Sequence, residues 1–291
     1  MKKSLIIVAI VAAVFLMATF APTASAISWQ LQLTYRKPMK FSETSFSYTF
    51  AYYSRPLARP PQPTASSKWA VIIGIADYQG RSSDLWHPDE DAKEMYYELV
   101  RQQGYPRSNV KLLTNRKATA QAIVDAINWL ITNEKAGDEV VFFYSGHGYR
   151  APDSEGWDDD VESDGYDEMI VTYDFYGLPD GWFRQKFAAI ESTKFALMFG
   201  SCHSGGMFDD NDDLQGEGRV IASACKADQY GWDYLYLGNT LWGYYFVDEG
   251  LLDNNAYSVE AAHAYAYPRV VAEQPDSQPQ LYDNYPGDFT L

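Results

Sequence analysis

At 291 residues, 46% hydrophobic and 21% charged, the chain holds enough apolar material for one sizeable core, which excludes disorder throughout. Its 23 basic against 39 acidic residues give a formal charge of −16, which disfavours nucleic-acid phosphates and anionic lipid as partners and points to cations and basic peptide segments. Two cysteines cannot make a disulfide framework; Cys202 and Cys225 offer at most one bridge.

Lys2-Lys3, an apolar run over residues 5–20 and Ala24-Ser25-Ala26 stand in the order of a secretory signal. Residues 1–26 are therefore expected to be removed on export, leaving a secreted or extracytoplasmic protein with no membrane span; an uncleaved run would anchor it. Residues 27–54 alternate aromatic and polar side chains as a small β-hairpin does, and residues 55–67, rich in Pro, Ala and Ser, read as a linker. The main domain is expected over 68–291.

From residue 69 the pattern alternates. Strands are predicted at 69–75, 110–113, 139–144, 169–173, 195–199 and 220–224, most of them apolar runs suited to burial on both faces. Helices are predicted at 89–103, at 119–133 with Thr119 as N-cap, at 182–190, at 237–252 and at 258–266, before a loop-rich tail. Such alternation implies right-handed crossovers and an α/β sandwich of three layers, a mostly parallel central sheet with helices on both faces.

In an open α/β sheet, ligands bind beyond the carboxyl ends of the strands. Two strand ends carry chemistry: 139–144 runs into Ser145-Gly146-His147-Gly148, and 195–199 into Gly200-Ser201-Cys202-His203-Ser204-Gly205-Gly206. A thiol attacks as thiolate, and an imidazolium beside it lowers its pKa, so a Cys–His pair is expected to be self-activating near neutral pH; Cys202 is the candidate nucleophile and His147 the candidate general base. The N–H groups of Gly148 and Cys202 are candidates for an oxyanion hole. Taken singly, a turn histidine and a small buried cysteine are ordinary core residues; two glycine-flanked turns at one sheet edge point to chemistry.

These motifs resemble the two active-site motifs of caspase-like cysteine peptidases, on the metacaspase side. Glu90-Asp91-Ala92, Asp164-Gly165-Tyr166-Asp167-Glu168, Ser223-Ala224-Cys225 through Gln229, and Pro279-Gln280-Leu281 are similar to further family segments, so the resemblance spans about 68–283. It implies a caspase-like sandwich and hydrolysis of peptide or protein substrates with no cofactor needed for the chemistry. In metacaspases cleavage follows Arg or Lys, in a pocket whose polar groups match Asp91 and Ser145. The family's Asp two positions before the nucleophile is Gly200 here, which weakens the pocket's charge complementarity; Asp228 is a candidate to compensate. The animal-caspase Q-A-C-x-G signature is absent, which argues against strict Asp specificity.

Residues 153–168 hold nine acids in sixteen positions with no Lys or Arg, and 209–213 add another acidic run. Such clusters suit Ca²⁺, and solvated acidic loops look the same. Resemblance to calcium-activated metacaspases favours the ion, with Asp167, Asp180 and Asp209 as matching ligands and Gly181 where a further Asp stands. Two other functions stay open: an inactive caspase-like binding module, and a metal hydrolase, for which the close ligand pairs of zinc sites are lacking.

Overall fold

The computed structural model describes residues 66–157, 162–210, 214–253 and 256–291. The expected leader, the expected hairpin and residues 55–65 of the expected linker lie outside the described residues. In chain order the elements are β1 (Lys68–Gly74), α1 (Pro88–Tyr97), β2 (Val110–Thr114), α2 (Ala120–Asn133), β3 (Glu139–Ser145), β4 (Gly148–Pro152), β5 (Tyr166–Val171) and β6 (Gly177–Pro179). There follow α3 (Asp180–Phe187), β7 (Phe195–Gly200), β8 (Arg219–Ser223), α4 (Leu241–Gly243, running on as a wider turn through Tyr244–Asp253), α5 (Val259–Glu273) and β9 (Gln280–Asp283).

The main sheet has the order β2-β1-β3-β7-β8-β9, parallel except for β9 against β8. Every residue of β3 and of β7 is buried, as strands covered on both faces must be. Alternate side chains therefore feed two cores. Ala70, Ile72, Val141, Phe143 and Met198 pack with Met95 of α1, Trp242 of α4 and Ala262 and Val270 of α5. On the opposite face Phe142 meets Phe183 and Phe187 of α3, each at 5.4 Å between ring centres, and α2 packs beside α3. This is the expected mostly parallel sheet between helical layers. Thr119 and Ser258 cap α2 and α5 by accepting from the Ala122 and Ala261 N–H groups at 3.2 and 3.1 Å.

Three features depart from the expected elements. The strand predicted at 169–173 is β5, and it belongs to a separate antiparallel sheet, β4-β5-β6, rather than to the main one. The tail contributes β9, held as an edge strand by pairing Gln280 with Ser223; ladder hydrogen bonds decide this, not local pattern. The last helix continues through Pro268 to Glu273, because Val270 is drawn into the core. Among the described residues no helix is long and apolar enough to cross a membrane.

Candidate active site

Neighbouring strands β3 and β7 bring the two glycine turns together. Ser145 is the register partner of Gly200, and the Gly146 N–H donates to the Gly200 carbonyl at 3.2 Å. Beyond that point the chains nearly touch: a Cβ at Gly148 would lie 1.9 Å from the Cys202 carbonyl oxygen. Only glycine permits that approach.

His147 is buried and fixed from three directions. Its N–H donates to the Tyr78 hydroxyl at 2.7 Å, its ring lies 4.6 Å from the Tyr78 ring centre, and Nε2 sits 2.8 Å from the Ser83 carbonyl. A carbonyl can only accept, so Nε2 carries the hydrogen and the basic lone pair is on Nδ1. Burial pushes the imidazole down to about 4.

Cys202 is half-buried and its thiol donates to the Gly231 carbonyl at 3.7 Å. Enclosure of the sulfur by protein pushes the thiol up to about 11, opposed by the N–H groups of Gly231, Cys202 and Gly148. Two of those donors are the ones expected to form the oxyanion hole. Where residue types alone suggest a thiolate beside an imidazolium, desolvation outweighs the local donors and the resting pair is neutral.

The next residue, His203, has φ 59°, a left-handed conformation rare outside glycine. Its N–H donates to Gln229 O at 2.9 Å and its Nδ1, facing Ala227 O at 2.7 Å, donates there, so the turn carrying Cys202 is latched to the turn after β8. Cys225 lies beneath, its thiol 3.4 Å from Ser201 O; both cysteines are free thiols.

Residues 68–211 match the family model for the metacaspase, peptidase C14 domain. Over these residues the chain is metacaspase-like, similar to a caspase-fold cysteine peptidase domain. It is 34% identical over 157 residues to Metacaspase-6 of Arabidopsis thaliana, covering 52% of this chain and 42% of that one. It is likewise 34% identical over 151 residues to Metacaspase-1A of Aspergillus oryzae, covering 48% and 35%. The chain thus spans less than half the length of these curated relatives. A crystal structure of protein GSU0716 from Geobacter sulfurreducens shares the fold, with a TM-score of 0.60 over 77% of this chain and 99% of that one at 20% identity.

In this metacaspase-like domain two of the three expected pocket residues meet. Ser145 Oγ donates to Asp91 Oδ2 at 2.7 Å, and Thr240, at the start of α4, donates to the same carboxylate from its N–H (3.1 Å) and its hydroxyl (2.7 Å). Asp91 is fully buried, which pushes it up to about 7 against those hydrogen bonds. Asp228 is exposed on the turn after Cys225, where its charge bears on the His203 ring. Gly200 faces the pair: a Cβ there would stand 3.2 Å from Ser145 Oγ and 3.2 Å from the Trp242 ring. The indole of Trp242 therefore borders the space into which a side chain at 200 would project.

Of the expected calcium ligands, Asp180 accepts from the N–H groups of Glu168 (3.2 Å) and Gly181 (2.8 Å), Asp167 is fully buried, and Asp209 is pushed up to about 6 by burial and then by Asp164. Among the described residues no three His, Cys, Asp or Glu side chains converge as ligands on one point. The acidic segments 158–161 and 211–213 lie outside the described residues. Glu168 carries the anomaly. It is 1% exposed, and neither carboxylate oxygen has a hydrogen-bond partner among the described residues. Burial, then Asp209 and Asp164, push it up to about 10, opposed by Arg150, its register partner on β4. Buried, unpaired carboxylate oxygens among other acids are the donor chemistry of a hard cation, so the residues fit calcium by type.

The sequence motifs named His147, Gly148 and Cys202. Tyr78, Ser83 and Gly231 were not singled out, because they act across long loops, two through a backbone carbonyl and one through a hydroxyl; Glu168 closed a family-like acidic segment but was not distinguished there from its neighbouring acids.

Proposed function

We propose that this domain is an endopeptidase in which Cys202 attacks the scissile carbonyl and His147 manages the proton. Supporting it most directly is the register that sets the turn carrying His147 against the turn carrying Cys202, with Gly148 packed on the Cys202 carbonyl. With a neutral resting pair, the thiol proton passes to His147 Nδ1 as the C–S bond forms, and the tetrahedral oxyanion develops against those N–H groups. The C–N bond then breaks as His147 returns the proton to the leaving amine, and water, deprotonated by the same imidazole, releases the acyl group from sulfur.

Cleavage after Arg or Lys belongs to the same reading, carried by resemblance to metacaspases through Asp91 and Ser145. A pocket with one carboxylate, already engaged by Ser145 and Thr240, makes that preference weaker than two acids would. Calcium is proposed as an activator held through Glu168 and Asp209; when bound it supplies positive charge that neutralises carboxylates otherwise buried against each other. Export with removal of residues 1–26 completes the proposal, and N-terminal sequencing of the secreted protein tests it.

The deciding experiment is hydrolysis of fluorogenic peptides ending in Arg, Lys, Asp or Asn by residues 27–291, in calcium and in chelator. Cys202→Ala and His147→Ala are expected to lower turnover by about 10³-fold or more while the circular dichroism is kept. Cleavage only after Asp or Asn discards the basic pocket. A folded protein that cleaves nothing is a binding module.

A further inference from the structure

His147 belongs to a stack of three rings drawn from distant parts of the chain. Tyr78, in the loop after β1, is 1% exposed; its ring meets the imidazole at 4.6 Å with 35° between the planes, and the ring of Phe175 at 5.7 Å with 27°. Phe175 sits in the turn between β5 and β6 with φ 61°, a left-handed conformation that is costly for a bulky residue and persists only where the surroundings over-determine it. Those surroundings are fixed without help from the ring. The Phe175 N–H donates to Thr172 O at 2.9 Å, the Tyr176 N–H to the Thr172 hydroxyl at 3.0 Å, and the Gln79 N–H, next to Tyr78 in the chain, to Tyr173 O at 3.1 Å. The turn therefore presents Phe175 to Tyr78 as a brace.

The hydroxyl of Tyr78 holds the main chain of the same histidine. It accepts the His147 N–H at 2.7 Å and lies 3.4 Å from the Tyr144 hydroxyl, which sits 2.6 Å from His147 O and 2.9 Å from Val171 O. Tyr144 has one hydrogen for two carbonyls, so its own oxygen is left to accept from Tyr78. Two buried hydroxyls thus bracket His147 at its N–H and its C=O, and they press on the turn: a Cβ at Gly146 would meet the Tyr144 and Tyr78 oxygens at 2.6 and 2.8 Å. With a neutral resting pair the thiol proton moves only as the C–S bond forms, so the imidazole must already stand in the plane of transfer. We propose that Tyr78, braced by Phe175, is a positioning residue for peptide cleavage, its ring setting the plane of the His147 imidazole and its hydroxyl fixing the peptide that carries it. The inference rests on the reading of Cys202 and His147 as a peptidase pair.

Substitutions that separate ring from hydroxyl test it, in residues 27–291 with the fold checked by circular dichroism. Tyr78→Leu removes both and is expected to lower kcat by about 100-fold; Tyr78→Phe keeps the ring and should lose less. Phe175→Gly removes the brace while suiting the left-handed backbone, so it should lower kcat by about tenfold without loss of melting temperature, and Phe175→Tyr should recover most of that. Because Tyr78 is buried from substrate, KM should stay within about twofold throughout. A second readout needs no turnover: in Cys202→Ala protein labelled with ¹⁵N-histidine, His147 should show one tautomer, with hydrogen on Nε2, and a mixture once Tyr78→Leu or Phe175→Gly is added. Unchanged kcat in folded Tyr78→Leu and Phe175→Gly, or a rise in KM with kcat kept, overturns the positioning role. A tautomer mixture in the variants of a protein that cleaves nothing keeps the clamp and removes the peptidase reading; full cleavage with one tautomer in every variant does the reverse.

Discussion

The α-carbon of Gly148 is pressed against the carbonyl of Cys202, so that a Cβ at 148 would fall 1.9 Å from the oxygen and 2.9 Å from the carbon. That contact joins the turn carrying His147 to the turn carrying Cys202 through backbone, where no side-chain rotation relieves a clash. Gly148→Ala is expected to cost about 3 kcal/mol or more and to remove peptide cleavage. Thermal unfolding beside a turnover assay checks it; an unchanged melting temperature would contradict the close approach.

The neutral resting pair predicts how Cys202 reacts and how stability depends on pH. With its thiol pushed up to about 11, the free protein should be alkylated by iodoacetamide at pH 7 roughly 100-fold more slowly than an ordinary thiol of pKa ~8.5, the rate rising through pH 9–10. Fast alkylation below pH 7 would show instead a preformed ion pair.

For stability, the folded His147 value of about 4 lies below the ordinary ~6.5, so the fold favours the neutral ring. Its contribution is complete above about pH 6.5 and is lost as pH falls toward 4. Cys202, raised to about 11, contributes fully below about pH 8.5 and loses that contribution as pH rises through 11. Urea unfolding of wild type and His147→Phe across pH 4–7 should converge at the acid end; parallel curves would assign the acid loss to other groups.

Asp91 anchors Ser145 and the start of α4 by accepting from three donors at 2.7–3.1 Å. Asp91→Asn turns one acceptor into a donor facing other donors in a site with no water access, at a cost of about 2–3 kcal/mol. Denaturant midpoints measure it. Loss of Arg/Lys turnover with unaltered stability would make Asp91 a substrate contact rather than a structural anchor.

Glu168 makes a prediction of opposite sign. Its carboxyl packs on Gly206, where a Cβ would lie 2.2 Å from Cδ, and its oxygens have no partner. Glu168→Gln should therefore raise calcium-free stability by about 1–2 kcal/mol while abolishing stabilisation by added calcium. Calorimetry in calcium and in chelator reads both effects. A variant less stable without calcium, with its calcium response intact, would exclude Glu168 from the cation site.

The sheet, its flanking helices and the two glycine turns at one sheet edge were legible in the sequence, because buried parallel strands are unbroken apolar runs and a glycine turn directly after such a strand lies at the carboxyl end of the sheet. The strand at 166–171 and the tail strand at 280–283 were not placed by pattern: which sheet a short strand joins depends on partners distant in sequence. The sequence named a thiol and an imidazole; only the folded surroundings decide that both rest neutral, since desolvation depends on what encloses a group. Resemblance offered Asp91 and Ser145 as candidate pocket residues; the structure joins them to each other and to Thr240 and sets Trp242 beside Gly200. Composition supplied an acidic run and scattered aromatic residues. Tertiary packing singled out Glu168 among the acids, because a missing partner is visible only when the neighbours are in place.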